Sequence, residues 1–145
     1  MLGNSQYCIP CAGARPPHGV YAHICGIDLV RTGADEYWVL EDNVRTPSGV
    51  SYMLENREAM LRLCPELFET FAVRPVDSYP ELLREMLHSV APGRARGPVC
   101  VLLTPGHFNS AFFEHSFLAD NMGIELVEGR DLIVDDDKVW MRTID

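Results

Sequence analysis

Lysine is nearly absent from this chain, and positive charge is scarce. Lys138 is the one lysine among 12 basic residues, and 21 acidic residues give a net charge of −9 over 145 residues. An acidic chain without a basic stripe is a poor nucleic-acid binder. No apolar run approaches the roughly 18 residues that a membrane helix needs, and the N-terminal stretch lacks the pattern of a signal peptide. We therefore expect a cytoplasmic protein with no nucleic-acid and no membrane partner.

A second C-x-x-C motif is also missing. The chain has 5 cysteines, an odd number that favours reduced thiols, and Cys8 and Cys11 form a single C-x-x-C. A zinc site needs two further ligands, for which His18 and His23 are candidates. A redox motif should begin a helix, but prolines follow here. We interpret the pair as incidental thiols, with metal or redox function as the alternative.

Apolar residues make up 47 % of the chain, which is enough for a core, and the patterns along it predict an α/β (α+β) fold. The first 19 residues are rich in proline and glycine and predict a loop. A β-hairpin and helices are expected to follow, then a small α/β unit after a loop at 92–98. The predicted elements are strands 20–31 and 36–43, helices 49–63 and 79–90 with a short helical turn at 65–71, strand 99–104, helix 110–121 ending at Gly123, strand 124–127, and a hairpin turning at 135–137.

The first hairpin carries the most chemistry. Side chains alternate faces along a strand, so Asp28 shares a face with Glu41 and Asn43 if the turn is 32–35. That register pairs Leu29 with Trp38 and Ile27 with Leu40 on an apolar core face, and it sets Glu41 opposite Gly26. A glycine there leaves room for an ion or a phosphate. Two carboxylates and an amide oxygen suit a hard divalent cation; the alternative is an ordinary solvated hairpin face.

The segment after the hairpin leads into a predicted helix N-terminus at Ser48 and Gly49. Free N–H groups and the helix dipole favour anions there, and Arg45 can add a bidentate contact to a phosphate or carboxylate. Capping by Ser48 or Thr46, with Arg45 on the surface, explains the same residues.

Further along, the residues Gly106 to Ser110 precede a helix and could bind an anion by the same dipole argument, or Ser110 could be the N-cap. Glu114 and His115 lie one turn into that helix, and we interpret them as packing groups, with substrate contact as the alternative. The run Asp135 to Asp137 predicts a solvated turn.

Five longer segments of the chain resemble those of a known protein family. HICGIDLVR, YWVLEDNVRTPSGVSYMLENR, CPELFETFAVRPVDSYPELL, LLTPGHFNSAFFEHSFLADNMGIELVEGRDL and VWMRT closely resemble the circularly permuted ATP-grasp family, which is itself similar to glutathionylspermidine synthetase. The resemblance runs from Leu2 to Asp145. It implies ATP and Mg²⁺ as cofactors, and a ligase that joins a carboxylate to an amine through an acyl phosphate, acting on small carboxylate and amine or peptide substrates.

The resemblance also implies roles for single residues. Asp28, Glu41 and Asn43 match the family's magnesium ligands, while Arg45 and the Ser48-Gly49 turn match positions near the transferred phosphate or acyl group, with Arg45 as the catalytic candidate and the turn as the nucleotide contact. The loop 104–109 would face the cleft, which makes substrate contacts of the following residues: Thr104, Gly106 and Asn109.

Two departures from the family pattern stand out. Gly26 occupies a position where the glutathionylspermidine enzymes have an arginine, and the lysines and glycine-rich flap that clamp the nucleotide have no match here. We therefore expect an incomplete ATP-grasp, an internal fragment that is inactive alone and that pairs with a downstream ATP-grasp half or with copies of itself. The alternative is a non-catalytic binding or assembly module. The implied domains are a lead-in at 1–19, the magnesium hairpin and helical part of the ATP-grasp at 20–91, and a pre-ATP-grasp-like unit at 99–145.

Overall fold

The computed structural model of the chain describes residues 3–5, 7–93 and 97–144. By their contacts these residues form two compact units, one that ends at Pro47 and one that begins at Ser48. No helix within the described ranges is long and apolar enough to cross a membrane. The three-part division that the sequence suggests stays a prediction.

The first unit is an antiparallel hairpin preceded by irregular chain. Two short 3₁₀ turns, Ile9–Cys11 and Pro17–Gly19, lie within the predicted lead-in. Strand β1 spans Gly26–Arg31 and strand β2 spans Tyr37–Asn43, so β1 begins six residues later than predicted. The strand pairing stops at Gly26 because its partner Asn43 is the last residue of β2, and the chain then turns at Thr46.

The predicted register of this hairpin is wrong. Asp28 lies opposite Glu41 and Gly26 lies opposite Asn43, while beyond Asp28 the pairing shifts so that Leu29 faces Val39. A β-bulge that contains Leu40 causes the shift, because two residues of β2 there oppose one position of β1.

The predicted apolar core face of the hairpin is not buried either. The exposed fraction is 55 % for Leu29, 62 % for Trp38 and 66 % for Leu40. A two-stranded hairpin is marginal in water without further sheet or helix against it. The second unit, by contrast, has a core of its own.

The second unit contains four helices and two small sheets among its described residues. Helix α4, Phe112–Met122, packs against the helices Val50–Leu63 and Tyr79–Val90 and against the strands Val101–Leu103 and Glu125–Val127. Buried Leu54, Ala119, Met122 and Val127 form the apolar core around it. The other elements of the unit are α1 Val50–Leu63, α2 Pro65–Thr70, α3 Tyr79–Val90, β3 Val101–Leu103, β4 Glu125–Val127, β5 Leu132–Asp135 and β6 Lys138–Met141.

Most of these elements confirm the predicted ones within two residues at each end. Strands β3 and β4 pair in parallel across α4, as a β-α-β unit requires. Gly123 ends α4 with φ of 64°, the left-handed conformation that glycine adopts without strain. The turn of the last hairpin is formed by Asp136 and Asp137, whose φ angles of 47° and 56° have the sign that a type I′ turn needs.

Candidate functional site

The first candidate site is the face of the hairpin that carries Asp28, Glu41 and Asn43. The observed register places Asp28 and Glu41 directly opposite each other, and alternation along β2 puts Asn43 on the same side. The Asn43 amide Nδ2 donates to Glu41 Oε1 at 3.3 Å. Directly opposed side chains have Cβ atoms about 4.5–5.5 Å apart, so the trio is gathered more closely than the predicted register required.

The space beside Gly26 differs from the prediction. A Cβ placed on Gly26 would lie 3.0 Å from the Cβ of Pro47 and 3.5 Å from that of Asn43. Pro47 therefore fills the gap that the glycine leaves, and the glycine serves close packing of the chain rather than an ion or a phosphate.

Oxygen donors of this kind fit a hard divalent cation. Asp28 and Glu41 offer two carboxylates, and Asn43 offers an amide oxygen, which are the groups that Mg²⁺ and Ca²⁺ prefer. Among the described residues no group of three or more His, Cys, Asp or Glu side chains is arranged for a metal. The trio has two carboxylates only, so water or phosphate oxygens would complete the coordination.

Arg45 is exposed and stands two residues after Asn43. Thr46 follows it with φ of 52°, an uncommon conformation for a β-branched residue. The chain is thus held in a sharp turn immediately after the trio. The sequence gives no sign of this strain, because threonine normally avoids the left-handed region.

In the second unit, the helix end at Ser48 and Gly49 already has an anionic partner. Glu114 of α4 is 7 % exposed, and its Oε2 accepts the N–H groups of Gly49 at 2.6 Å and Ser51 at 3.3 Å. The Ser51 hydroxyl, fully buried, donates to the Glu114 carbonyl oxygen at 3.4 Å. A phosphate at this helix end would compete with Glu114 for those two amides.

Glu114 also acts on a neighbouring phenol. Burial raises the pKa of Tyr79, and the negative charge of Glu114 raises it further. The packing role that the sequence favours for Glu114 is therefore a specific one, since a buried carboxylate joins α4 to the first turn of α1.

The loop after β3 lies at the carboxyl end of the parallel pair, where open α/β sheets usually bind ligands. Thr104 is 2 % exposed, and its Oγ1 lies 3.0 Å from His115 Nδ1 and accepts the Gly106 N–H at 3.2 Å. Asn109 Oδ1 accepts the Ala111 N–H at 2.9 Å. These three predicted substrate contacts use their polar groups to shape the loop and the start of α4, which begins at Phe112 rather than Ser110.

The sequence patterns did not identify Glu128 as a residue of this loop region. Glu128 directly follows β4, and its carboxylate would meet a Cβ on Gly106 at 3.3 Å. It also forms a capping box with Asp131 at the start of the 3₁₀ turn Gly129–Asp131, and an ion pair with Arg130 at 3.3 Å. Its place just after a parallel strand is the signal that could have identified it.

The sequence comparisons agree with one another. The model of a family described as a circularly permuted ATP-grasp matches residues 1–145. An uncharacterized protein of Synechocystis sp. is 57 % identical over 139 residues, which is 96 % of this chain and 29 % of that protein. An uncharacterized protein of Mycobacterium tuberculosis is 55 % identical over 132 residues, 90 % of this chain and 24 % of its own length.

A further relative has a name that states an activity. The Frankia casuarinae protein named putative glutamate–cysteine ligase 2-2 is 44 % identical over 127 residues, 87 % of this chain and 15 % of that protein. The chain thus spans less than a third of the length of each of these relatives.

Proposed function

The chain belongs to the circularly permuted ATP-grasp family, and we propose that it is the part of an ATP- and Mg²⁺-dependent carboxylate–amine ligase that supplies the metal ligands. The observation that carries the proposal is the opposition of Asp28 and Glu41 across the hairpin, with Asn43 on the same face. The name of the Frankia relative supports a ligase that forms a peptide-type bond.

In this proposal Asp28, Glu41 and Asn43 hold Mg²⁺ through their oxygens. Bound there, the cation would neutralise charge on the phosphates of ATP during formation of an acyl phosphate. Two opposed carboxylates repel each other when no cation lies between them, so the hairpin is built to gain from cation binding. Such a gain would be absent from an ordinary solvated face with scattered charges.

Arg45 has a separate role in the proposal. Arg45 is exposed directly before the strained turn at Thr46, and its guanidinium carries a permanent positive charge. We assign it to the transferred phosphate or to the carboxylate substrate, where a bidentate contact would orient the group. In the second unit, we propose that the loop shaped by Thr104, Gly106 and Asn109 contacts the substrate.

The proposal for Ser48 and Gly49 is narrower than a phosphate site at the helix end. Glu114 occupies the Gly49 amide at 2.6 Å, and so we propose that nucleotide contact at Ser48 and Gly49 needs release of Glu114. The remainder of the full-length protein would supply the groups that clamp the nucleotide. The isolated chain would bind Mg²⁺ but would not turn over ATP.

Calorimetric titration tests the metal site. Purified chain is titrated with Mg²⁺ alone and then with ATP in the presence of Mg²⁺, alongside the double variant Asp28→Asn/Glu41→Gln. Asp42→Asn is the matched control, because Asp42 lies opposite Ile27 on the other face of the same strand. We expect Mg²⁺ binding by the wild type and the control, and none by the double variant.

Two results would overturn the assignment of the metal ligands. One is a wild-type chain that takes up no Mg²⁺ at millimolar concentrations. The other is equal loss of binding in Asp42→Asn, which would indicate a general effect of negative charge on this hairpin. Mg²⁺ binding without ATP binding would retain the metal ligands and place nucleotide contacts outside this chain.

A further inference from the structure

Cys8 and Cys11 are not among the residues proposed for the ligase site, and their side chains are in contact. The Cys11 thiol donates to the Cys8 Sγ, with the two sulfur atoms 3.4 Å apart, and both side chains are exposed. The Cys11 N–H bonds to the Cys8 carbonyl at 3.0 Å, and Pro10 lies within the 3₁₀ turn between them. The backbone therefore holds the two thiols side by side without help from another segment.

A metal is a poor occupant for this pair. Structural zinc needs four ligands, and no group of three or more metal-binding side chains is arranged for a metal in the described part of the chain. His18 and His23 are thus not assembled with the pair. Two adjacent, accessible thiols with no further ligand favour covalent chemistry between the sulfur atoms.

We propose that Cys8 and Cys11 are a modification site that forms a reversible intramolecular disulfide by exchange with a low-molecular-mass disulfide. The Cys8 thiolate attacks one sulfur of the small disulfide and releases one small thiol. Cys11 then attacks the Cys8 sulfur of the mixed disulfide and releases the second small thiol. Two cysteines lose two electrons and two protons, and the small disulfide is reduced to two thiols.

The contact between the sulfurs sets the order of these steps. Hydrogen bonding to Cys8 and the charge of Cys8 raise the pKa of Cys11. Since the thiolate is the attacking form, Cys8 reacts first and Cys11 resolves the mixed disulfide once the Cys8 sulfur is bonded and uncharged.

The other cysteines lack such an arrangement. Cys25 is exposed, and its thiol contacts a carboxylate oxygen of Asp42 at 4.0 Å rather than a second thiol. Cys64 and Cys100 are partly buried. These three thiols provide internal references for reactivity in the same molecule.

The experiment equilibrates the chain with mixtures of reduced and oxidised glutathione, blocks free thiols with an alkylating reagent, and digests with chymotrypsin. Cleavage after Tyr7 and Tyr21 releases a peptide, residues 8–21, that contains Cys8 and Cys11 and none of the other cysteines. As the oxidised share rises, we expect this peptide to become unalkylated and lighter by two hydrogens, while Cys64 and Cys100 still carry the label.

Single variants test the pairing. In Cys11→Ser we expect glutathione to remain attached to Cys8, because nothing resolves the mixed disulfide. In Cys8→Ser we expect glutathione to remain attached to Cys11, because the thiol that raises the pKa of Cys11 and closes the disulfide is gone. Cys25→Ser is the control and should leave the bond unchanged. Alkylation of both Cys8 and Cys11 in every mixture, or a bond from Cys8 to Cys25 or to another chain, would overturn the proposal.

Discussion

The carboxylate of Glu114 accepts the Gly49 N–H at 2.6 Å, a bond between residues 65 positions apart. It also accepts the Ser51 N–H, so one buried side chain satisfies two of the N–H groups that begin α1. No side-chain cap from within the helix itself replaces it. The position of α1 relative to α4 within the second unit thus depends on Glu114.

Glu114→Ala should lower the free energy of unfolding by about 2–4 kcal/mol, because it leaves both amides without their acceptor in a largely buried place. Glu114→Gln keeps one acceptor oxygen and should cost only about 1 kcal/mol. Urea unfolding followed by circular dichroism measures both values. The control is Glu125→Gln on the exposed side of β4, expected within about 0.5 kcal/mol of wild type; equal losses at Glu114 and Glu125 would contradict the anchoring role.

Tyr79 gives the second prediction, a dependence of stability on alkaline pH. Burial first, and the charge of Glu114 second, raise the pKa of Tyr79 above its usual value near 10. The folded state therefore holds the phenolic proton more tightly than the unfolded state does. Its stabilising effect is complete below the usual pKa and is lost as pH rises through the higher folded pKa.

Ultraviolet absorbance of tyrosinate and unfolding curves between about pH 9 and 12 check this prediction. Tyr79→Phe should remove the part of the alkaline destabilisation that comes from this phenol. Glu114→Gln should lower the pKa of Tyr79 only in part, because burial still raises it. Tyr37→Phe removes a tyrosine that is 58 % exposed and serves as the control. A Tyr79 that ionises in step with the unfolded chain would refute the assignment.

The opposed carboxylates of the hairpin predict that Asp28→Asn raises stability without divalent cations and loses the stability that Mg²⁺ gives the wild type. Without divalent cations, Asp28→Asn should stabilise the hairpin by about 0.2–1 kcal/mol, because like charges directly opposite each other destabilise a strand pair. With Mg²⁺ present, the wild type should gain stability and the variant should not. Thermal unfolding in a chelator and in Mg²⁺ measures both effects.

Asp42→Asn is again the control, since its side chain points away from the pair. It should show the same Mg²⁺ response as the wild type. An Asp28→Asn chain that is less stable than wild type in chelator would mean that the Asp28 carboxylate has a structural partner rather than a repulsive one.

Local patterns predicted most elements of the second unit. Helix α3 begins at Tyr79 and ends at Val90, as proline at its second position and the apolar spacing indicate. Gly123 marks the end of α4 for a local reason as well, because it adopts a left-handed conformation. Signals of this kind act within a few residues and can be read in order along the chain.

The features that the sequence did not predict share a different cause. The bulge at Leu40 changes the pairing of the hairpin, yet nothing in the side chains around it distinguishes a bulged strand from a regular one. The bond from Glu114 to Gly49 joins distant parts of the chain, and no periodicity contains it. The sequence could thus predict which polar residues share the hairpin face, but not which of them oppose each other.

The final prediction concerns Gly106, in the loop after β3 that holds the predicted substrate contacts. Its φ of 102° lies in a region that side chains rarely adopt, and a Cβ there would lie 3.3 Å from Glu128 Oε1. Gly106→Ala should therefore lower the free energy of unfolding by about 1–3 kcal/mol. Gly129→Ala is the matched control, because a Cβ there meets no atom within 4 Å.

A double-mutant cycle with Glu128→Ala separates the two contributions to this loss. The steric part should disappear when the Glu128 carboxylate is absent, whereas the cost of the backbone conformation should remain. Chemical unfolding of the four chains provides the numbers, with the effect of Glu128→Ala alone subtracted because that side chain also caps the following 3₁₀ turn. If Gly106→Ala cost no more than Gly129→Ala, the loop would be free to adopt another conformation, and its polar groups would then be available to a substrate.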